Sequence, residues 1–299
     1  MKRISRTKGS AAKRAFGLFM FCVSLSGFAV ADDIGAKVIY GKDNRKDIYD
    51  TDSALYRDLA QSTVALFNNT DVIPDNGKKT AKLVTENFGD SFSLCKDEPF
   101  RDQPSGAFCS GSLVADDMVL TAGHCIRSAS ACAGVKFVFG FGIRQKGNIP
   151  TEVGLDDVYS CTKIVAREEQ GYGADFALVK IDRKVTKYKP LAISRRGDPD
   201  VGAEMVVIGH LSGIPTKVSD GANVRSNENG YFVANIHMYG GNSGSAVFNT
   251  KTGLVEGVRV RGETDFVNRN GCYISNVCPS DGCRGEDVTK ISAVAKYIP

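Results

Sequence analysis

From Phe108 onward the chain is divided into short apolar runs separated by turn-forming residues. Phe108 to Val114 and Met118 to Thr121 flank Ala115-Asp116-Asp117, a hairpin-like turn. Val135 to Phe141, Val158 to Ala166 and Asp175 to Ile181 follow. After a charged linker, Asp182 to Lys189, come Met205 to Gly209, Ala222 to Arg225, Tyr231 to Asn235, Ser245 to Asn249 and Leu254 to Val260. Runs this short at regular spacing predict an all-β barrel or sandwich. Gly 32 against Pro 9 and Trp 0 suits strands joined by tight turns. Upstream, Val38 to Gly41 and Ser62 to Phe67 read as strands, with one or two helical turns at Ala54 to Ala60. Asn68 to Gly106 is polar and reads as a long insertion with a short helix around Lys79 to Glu86. Val288, Ile291, Val294 and Ile298 are spaced as on a helix, which predicts a helical C-terminus.

The first 31 residues carry Lys2, Arg3, Arg6, Lys8, Lys13 and Arg14, then an apolar run closing on Ala29-Val30-Ala31. That order, basic then apolar then small, is that of a secretory signal, so the mature chain is expected outside the cytoplasm, secreted or periplasmic, with no stable membrane anchor. Those six basic residues have no acidic counterpart in the segment. The 299-residue chain counts 38 basic against 34 acidic residues, so its formal charge of +4 belongs to the signal and the remainder leans slightly acidic. This argues against nucleic acid as a partner. Of nine cysteines, Cys22 falls in the signal. An even set in an exported chain predicts disulfides, and without paired C-x-x-C spacing no metal site or cofactor is expected.

Three stretches carry chemistry. In Gly241-Asn242-Ser243-Gly244-Ser245 the glycines allow a tight turn that presents a hydroxyl and brings a substrate carbonyl close. The amides of Gly241 and Ser243 can then converge as an oxyanion hole. Taken alone, such a cluster more often marks a surface turn. His124, in Thr121-Ala122-Gly123-His124-Cys125, follows an apolar strand directly and is the best candidate base. Asp175 heads the run Phe176-Ala177-Leu178-Val179, where an acid is costly unless paired, so it is the candidate orienter of His124.

Together these stretches resemble the trypsin-like (chymotrypsin-fold) serine endopeptidases. Cys109-Ser110-Gly111-Ser112-Leu113-Val114 with Thr121 to Cys125 is similar to that family's first-barrel signature, and Asp175 to Val179 to its aspartate strand. Gly241 to Ser245 is similar to the serine loop of the bacterial glutamyl-endopeptidase-like branch. The resemblance implies two antiparallel six-stranded barrels with the site between them, an all-β fold. Residues 32–187 would form the first barrel, with 68–106 inserted, and 188–299 the second barrel and terminal helix. It implies Ser243 as nucleophile, His124 as base then acid, Asp175 as orienter and a Cys109–Cys125 bridge. It further implies a peptide or protein substrate, no cofactor, and a monomer.

The departures concern activation and specificity. Asn242 replaces an aspartate that many members use to pair with a newly cut N-terminus, so that ion pair is not expected. Tyr239 stands where many members have a cysteine. The remaining cysteines are expected to form one bridge among Cys272, Cys278 and Cys283, and at least one tying the insertion to the first barrel. By the resemblance, His237, Arg259 and Gly262 fall at the primary pocket, and a cation there would favour an acidic residue before the scissile bond. His210 reads as a loop-packing residue. The alternative is a binding module whose triad is covered by the insertion. The acyl-hydrolase arrangement is disfavoured because Ser243 comes last and precedes a strand.

Overall fold

A computed structural model describes residues 39–299 except 238 and 263. The signal assigned to residues 1–31 and its cleavage site lie outside the described residues. Six strands close into a first barrel: β1 (Thr63–Asn68), β2 (Cys109–Ala115), β3 (Met118–Thr121), β4 (Val135–Val138), β5 (Val158–Glu169) and β6 (Asp175–Ile181). Their order around the ring is β4-β5-β6-β3-β2-β1, and β1 pairs back to β4. A second ring is made of β7 (Glu204–Gly209), β8 (Lys217–Asn227), β9 (Tyr231–Ala234), β10 (Ala246–Asn249), β11 (Val255–Arg261) and β12 (Glu286–Lys290). It runs β7-β10-β11-β12-β9-β8 and is closed by the β7–β8 pairing. Every pairing in both rings is antiparallel. The all-β, two-barrel expectation from the sequence holds.

Alternation along the strands builds two kinds of core. On β6, Ala177, Val179 and Ile181 point into the first barrel with Val64, Leu66 and Phe137. Phe176 and Leu178 point the other way, against Val206, Ile208, Phe248, Val258 and Val260 of the second ring. The period of two along β6 thus welds the barrels together and leaves Asp175, at the strand's first position, at their junction. Met205, Val207, Phe232 and Val288 fill the second barrel.

Three expectations are corrected. The helix expected around Lys79 to Glu86 is instead a strand, Thr80–Leu83, between Val72–Asp75 and Glu152–Gly154. Ala81 and Leu83 are buried there while Lys82 is exposed, the period of a strand. The insertion's helix lies further on, at Phe88–Ser91, capped by the Asn87 side chain. The C-terminus is not one helix. Residues from Glu286 to Lys290 are β12, because hydrogen bonds to both β9 and β11 close the ring there. Two short 3-10 turns follow, Ile291–Ala293 and Ala295–Tyr297, and they bury Ile291, Val294 and Ile298. The apolar spacing therefore reported burial and not helix. Lastly, Cys95 of the insertion bonds to Cys272, in the second half of the chain and not in the first barrel. The other bridges are Cys109–Cys125, Cys132–Cys161 and Cys278–Cys283.

The segment before the first barrel joins the second. Lys46–Asp47 pairs with β8, and Ile39–Tyr40 runs parallel to Val277–Cys278.

Candidate active site

His124 and Asp175 meet because of register. In the antiparallel β3–β6 pair, Thr121 lies opposite Ala177, so the end of β3 adjoins the start of β6. The chain turns through Ala122 and Gly123 and brings His124 Nδ1 to 2.7 Å from Asp175 Oδ2. The His124 backbone amide donates to Asp175 Oδ1 at 3.1 Å. Burial opposes ionisation of Asp175, but the His124 side chain and the amides of His124 and Gly123 more than offset it and hold the carboxyl below its ordinary range. Thr289 of β12 exchanges two 3.0 Å hydrogen bonds with the Asp175 backbone, so the second barrel pins the carboxylate's strand. With Nδ1–H donated to Asp175, the outer nitrogen Nε2 of His124 is left as the basic one. The His124 side chain remains about one-quarter exposed (26%) and Asp175 is covered (4%).

Ser243 lies on the loop between β9 and β10 and is held by the first barrel. Its carbonyl accepts from the Ser110 amide at 2.8 Å and lies 3.8 Å from Cys125 Sγ. Cys125 is the chain neighbour of His124 and is bonded to Cys109, so the bridge that seats the histidine also touches the serine. Ser110 Oγ donates to the Gly241 carbonyl at 3.2 Å. Gly244 sits at φ +91, and a Cβ there would collide with the Ser110 carbonyl and Thr121 Oγ1, so only glycine lets the loop dock this tightly. Gly241 has φ +82. Asn242 is buried, and its Oδ1 accepts from Ser245 Oγ at 2.9 Å. Position 242 is therefore satisfied inside its own turn.

The Ser243 hydroxyl faces Arg259. Arg259 Nη1 lies 3.3 Å from Ser243 Oγ, and among the described residues Ser243 Oγ makes no hydrogen bond to His124. Arg259 is buried on β11, with its backbone bonded to both Gly244 and Ser245 of the serine loop. Its Nη2 is 3.1 Å from Glu286 Oε2 on β12. Glu286 is fully buried, and Tyr40 donates its hydroxyl to Glu286 Oε1 at 3.1 Å. Burial pushes the Glu286 carboxyl up to about 7 despite Arg259 and Tyr40. A Cβ on Gly262 would strike Glu286 Oε2 and stand 2.6 Å from Arg259 Nη2, so glycine there makes room for the ion pair. Asp265 Oδ2 accepts from the Gly240 amide at 2.6 Å, and burial raises its carboxyl.

His237 is placed differently from Arg259. It is buried among Tyr40, Asp43 and Arg45, and burial lowers it to about 4. It is neutral at ordinary pH and supplies no cation. His210 is buried, stacked on Phe141, with Nδ1 3.2 Å from the Ile214 carbonyl, which fits the packing role read from the sequence.

Sequence reasoning missed the supports beneath the loop. Tyr239 is buried under the Arg45 guanidinium, 4.6 Å from its ring centre, and donates to Ser275 Oγ, which in turn donates to Glu98. Arg45 bonds Asp43 through Nε at 2.8 Å and Nη2 at 2.6 Å. Lys217 bonds Asp47 at 2.6 Å and Gln103 at 2.7 Å. Arg45 sits in Asp43 to Asp52, a charged stretch that reads from the sequence as loop, and no local pattern marks it. Glu286 could have been sought by asking what neutralises a buried Arg259.

The chain is similar to two crystal structures of Rv3671c, both described as an inactive form. One is a serine-to-alanine mutant from M. tuberculosis H37Rv, 14% identical with a TM-score of 0.46, covering 82% of this chain and 89% of that one. The other, the Rv3671c protease, is 15% identical with a TM-score of 0.45, covering 81% and 90%. No curated protein sequence matches the chain. The family described as "Trypsin-like peptidase domain" matches residues 109–258, half of the chain, and the protein belongs to that trypsin-like peptidase family.

Proposed function

We propose that the protein is an exported serine endopeptidase working through His124, Asp175 and Ser243. The observation that carries this is the 2.7 Å contact from His124 Nδ1 to Asp175, beside a serine loop docked on Ser110 and Cys125. In the reaction, Ser243 Oγ attacks the scissile carbonyl carbon while its proton passes to His124 Nε2. Negative charge develops on the carbonyl oxygen, facing the amides of Gly241 and Ser243. The C–N bond then breaks as His124 returns the proton to the leaving amine. Water, deprotonated by the same imidazole, attacks the acyl-enzyme and releases the acid. Asp175 keeps Nδ1 protonated and stabilises the imidazolium.

For specificity, the reading is a preference for Glu or Asp before the scissile bond, as in the glutamyl-endopeptidase-like branch. Arg259 supports it as a buried cation within 3.3 Å of Ser243 Oγ. The neutral, buried His237 is dropped from this role. Four disulfides among the described residues support export to an oxidising compartment.

The test is a fluorophosphonate probe on chain lacking residues 1–31, with the labelled peptide sequenced. Ser243 is the expected adduct. Ser243→Ala or His124→Ala should lower kcat on a peptide substrate by roughly 10⁶-fold. A folded wild-type chain that neither labels nor cleaves any member of a diverse peptide library defeats the reading.

A further inference from the structure

The guanidinium of Arg259 makes two unequal bonds. Nη2 is committed to Glu286 at 3.1 Å, while among the described residues Nη1 bonds only a neutral hydroxyl, Ser243 Oγ, at 3.3 Å. Its Nε is buried with no partner among the described residues. Arg259 is 4% exposed, so bulk water competes little for these donors. A buried donor left weakly paired is a binding site for a stronger acceptor, and a carboxylate is the strongest a peptide offers. The group now held by Nη1 is the proposed nucleophile. While Nη1 donates to Oγ, one of the hydroxyl's lone pairs is engaged, and among the described residues Oγ makes no hydrogen bond to His124.

We propose that Arg259 is a substrate-operated latch: a substrate carboxylate takes Nη1 from Ser243 Oγ, and the freed hydroxyl turns to His124. This rests on the serine-peptidase reading above and adds what opens the site. Catalysis is then gated by the side chain preceding the scissile bond, because only an acidic one competes for the guanidinium. Glu286 is the positioning residue that keeps Arg259 in the pocket when the hydroxyl leaves. Tyr40 and Gly262 set Glu286, the first by its hydroxyl and the second by having no side chain. No bond other than hydrogen bonds changes in the opening step.

The test separates the latch from the triad. An uncharged alkyl fluorophosphonate needs Ser243 Oγ but no acidic side chain, so it reports the latch directly. Arg259→Met should label Ser243 about tenfold faster than wild type, the size expected for losing one charge-assisted hydrogen bond. The same variant should lose about 100-fold in kcat/KM on a peptide with Glu before the scissile bond, bringing it level with the Gln peptide. Arg259→Met with Glu286→Gln repeats the measurement without a lone buried carboxylate, so instability of the single variant does not leave the matter open. Equal or slower labelling of the folded double variant overturns the latch and leaves the peptidase reading standing. An unchanged Glu-to-Gln ratio does the same. Labelling and cleavage by neither wild type nor variants overturns both.

Discussion

At the scale of single residues, two buried carboxyls, Glu286 and Asp265, set how much charge Arg259 shows, and burial raises both. Glu286 is held near neutrality by burial, at about 7, beside a permanently charged Arg259. Above that pH the pair is internally neutral. Below it Glu286 takes a proton and Arg259 stands as net charge toward the substrate. A Glu side chain in solution stays ionised down to about 4.3. Between pH 8 and about 5.5, therefore, the ratio of kcat/KM for Glu against Gln peptides should rise as pH falls. Taking the ratio cancels any pH effect that the two peptides share. Steady-state kinetics on matched peptides measures it, and Glu286→Gln should flatten the trend. A ratio that falls with acidification means Glu286 does not mask Arg259.

At the scale of elements, the serine loop is braced from below by pieces far away in sequence. Tyr239 enters the loop, and the segment before the first barrel places Arg45 over its ring. Phe100 of the insertion lies 5.4 Å from the same guanidinium, with Glu98 3.9 Å away. The insertion is stitched to Cys272, and its Phe88 and Phe92 pack on Phe266. Removing one member of a buried charged cluster strands the others. Arg45→Met should therefore cost about 3 kcal/mol of unfolding free energy. Urea denaturation followed by tyrosine fluorescence would show it as a lower midpoint with an unchanged slope. A change under about 0.5 kcal/mol, typical of surface positions, would mean the brace is ornamental.

At the scale of the whole molecule, buried titratable groups set how stability responds to acid. His210 is depressed to about 3 and His237 to about 4, both mainly by burial. The unfolded chain protonates them at their ordinary 6.5, so it binds more protons than the folded one between those limits. Their contribution is complete above 6.5 and drains away as pH falls. Glu286 acts oppositely. Its folded value lies above its ordinary 4.5, so its contribution is complete below 4.5 and lost as pH rises through about 7. Between 6.5 and 4.5 the two histidines act against Glu286, with Glu256 and Asp265, also raised by burial, narrowing the margin toward the acid end. At lower pH, Asp43 and Asp175 add to the loss, since both are held below their ordinary value. Thermal melts should show Tm falling from pH 6.5 to pH 4.5. A flat or rising Tm in that window would mean the histidines are not buried neutral.

Much of this molecule was determined by local sequence. The strand runs on either side of Asp116-Asp117, the head-of-strand Asp175 and the glycines around Ser243 each impose their geometry within a few residues, by alternation, by the cost of a buried acid and by permitted φ. Those rules hold wherever the segment sits, so the barrels could be read in advance and the three candidate residues proposed. What the tertiary structure alone decided is what stands behind them. Thr80 to Leu83 became a strand because Val72–Asp75 and Glu152–Gly154 offered hydrogen bonds on both sides. Glu286 to Lys290 became the closing strand for the same reason. The partner of Cys95, the ring beneath Arg45 and the carboxylate on Arg259 lie 177, 194 and 27 residues away. Pairings over such distances are set by where two closed barrels bring their surfaces together, and no local rule in the chain encodes that.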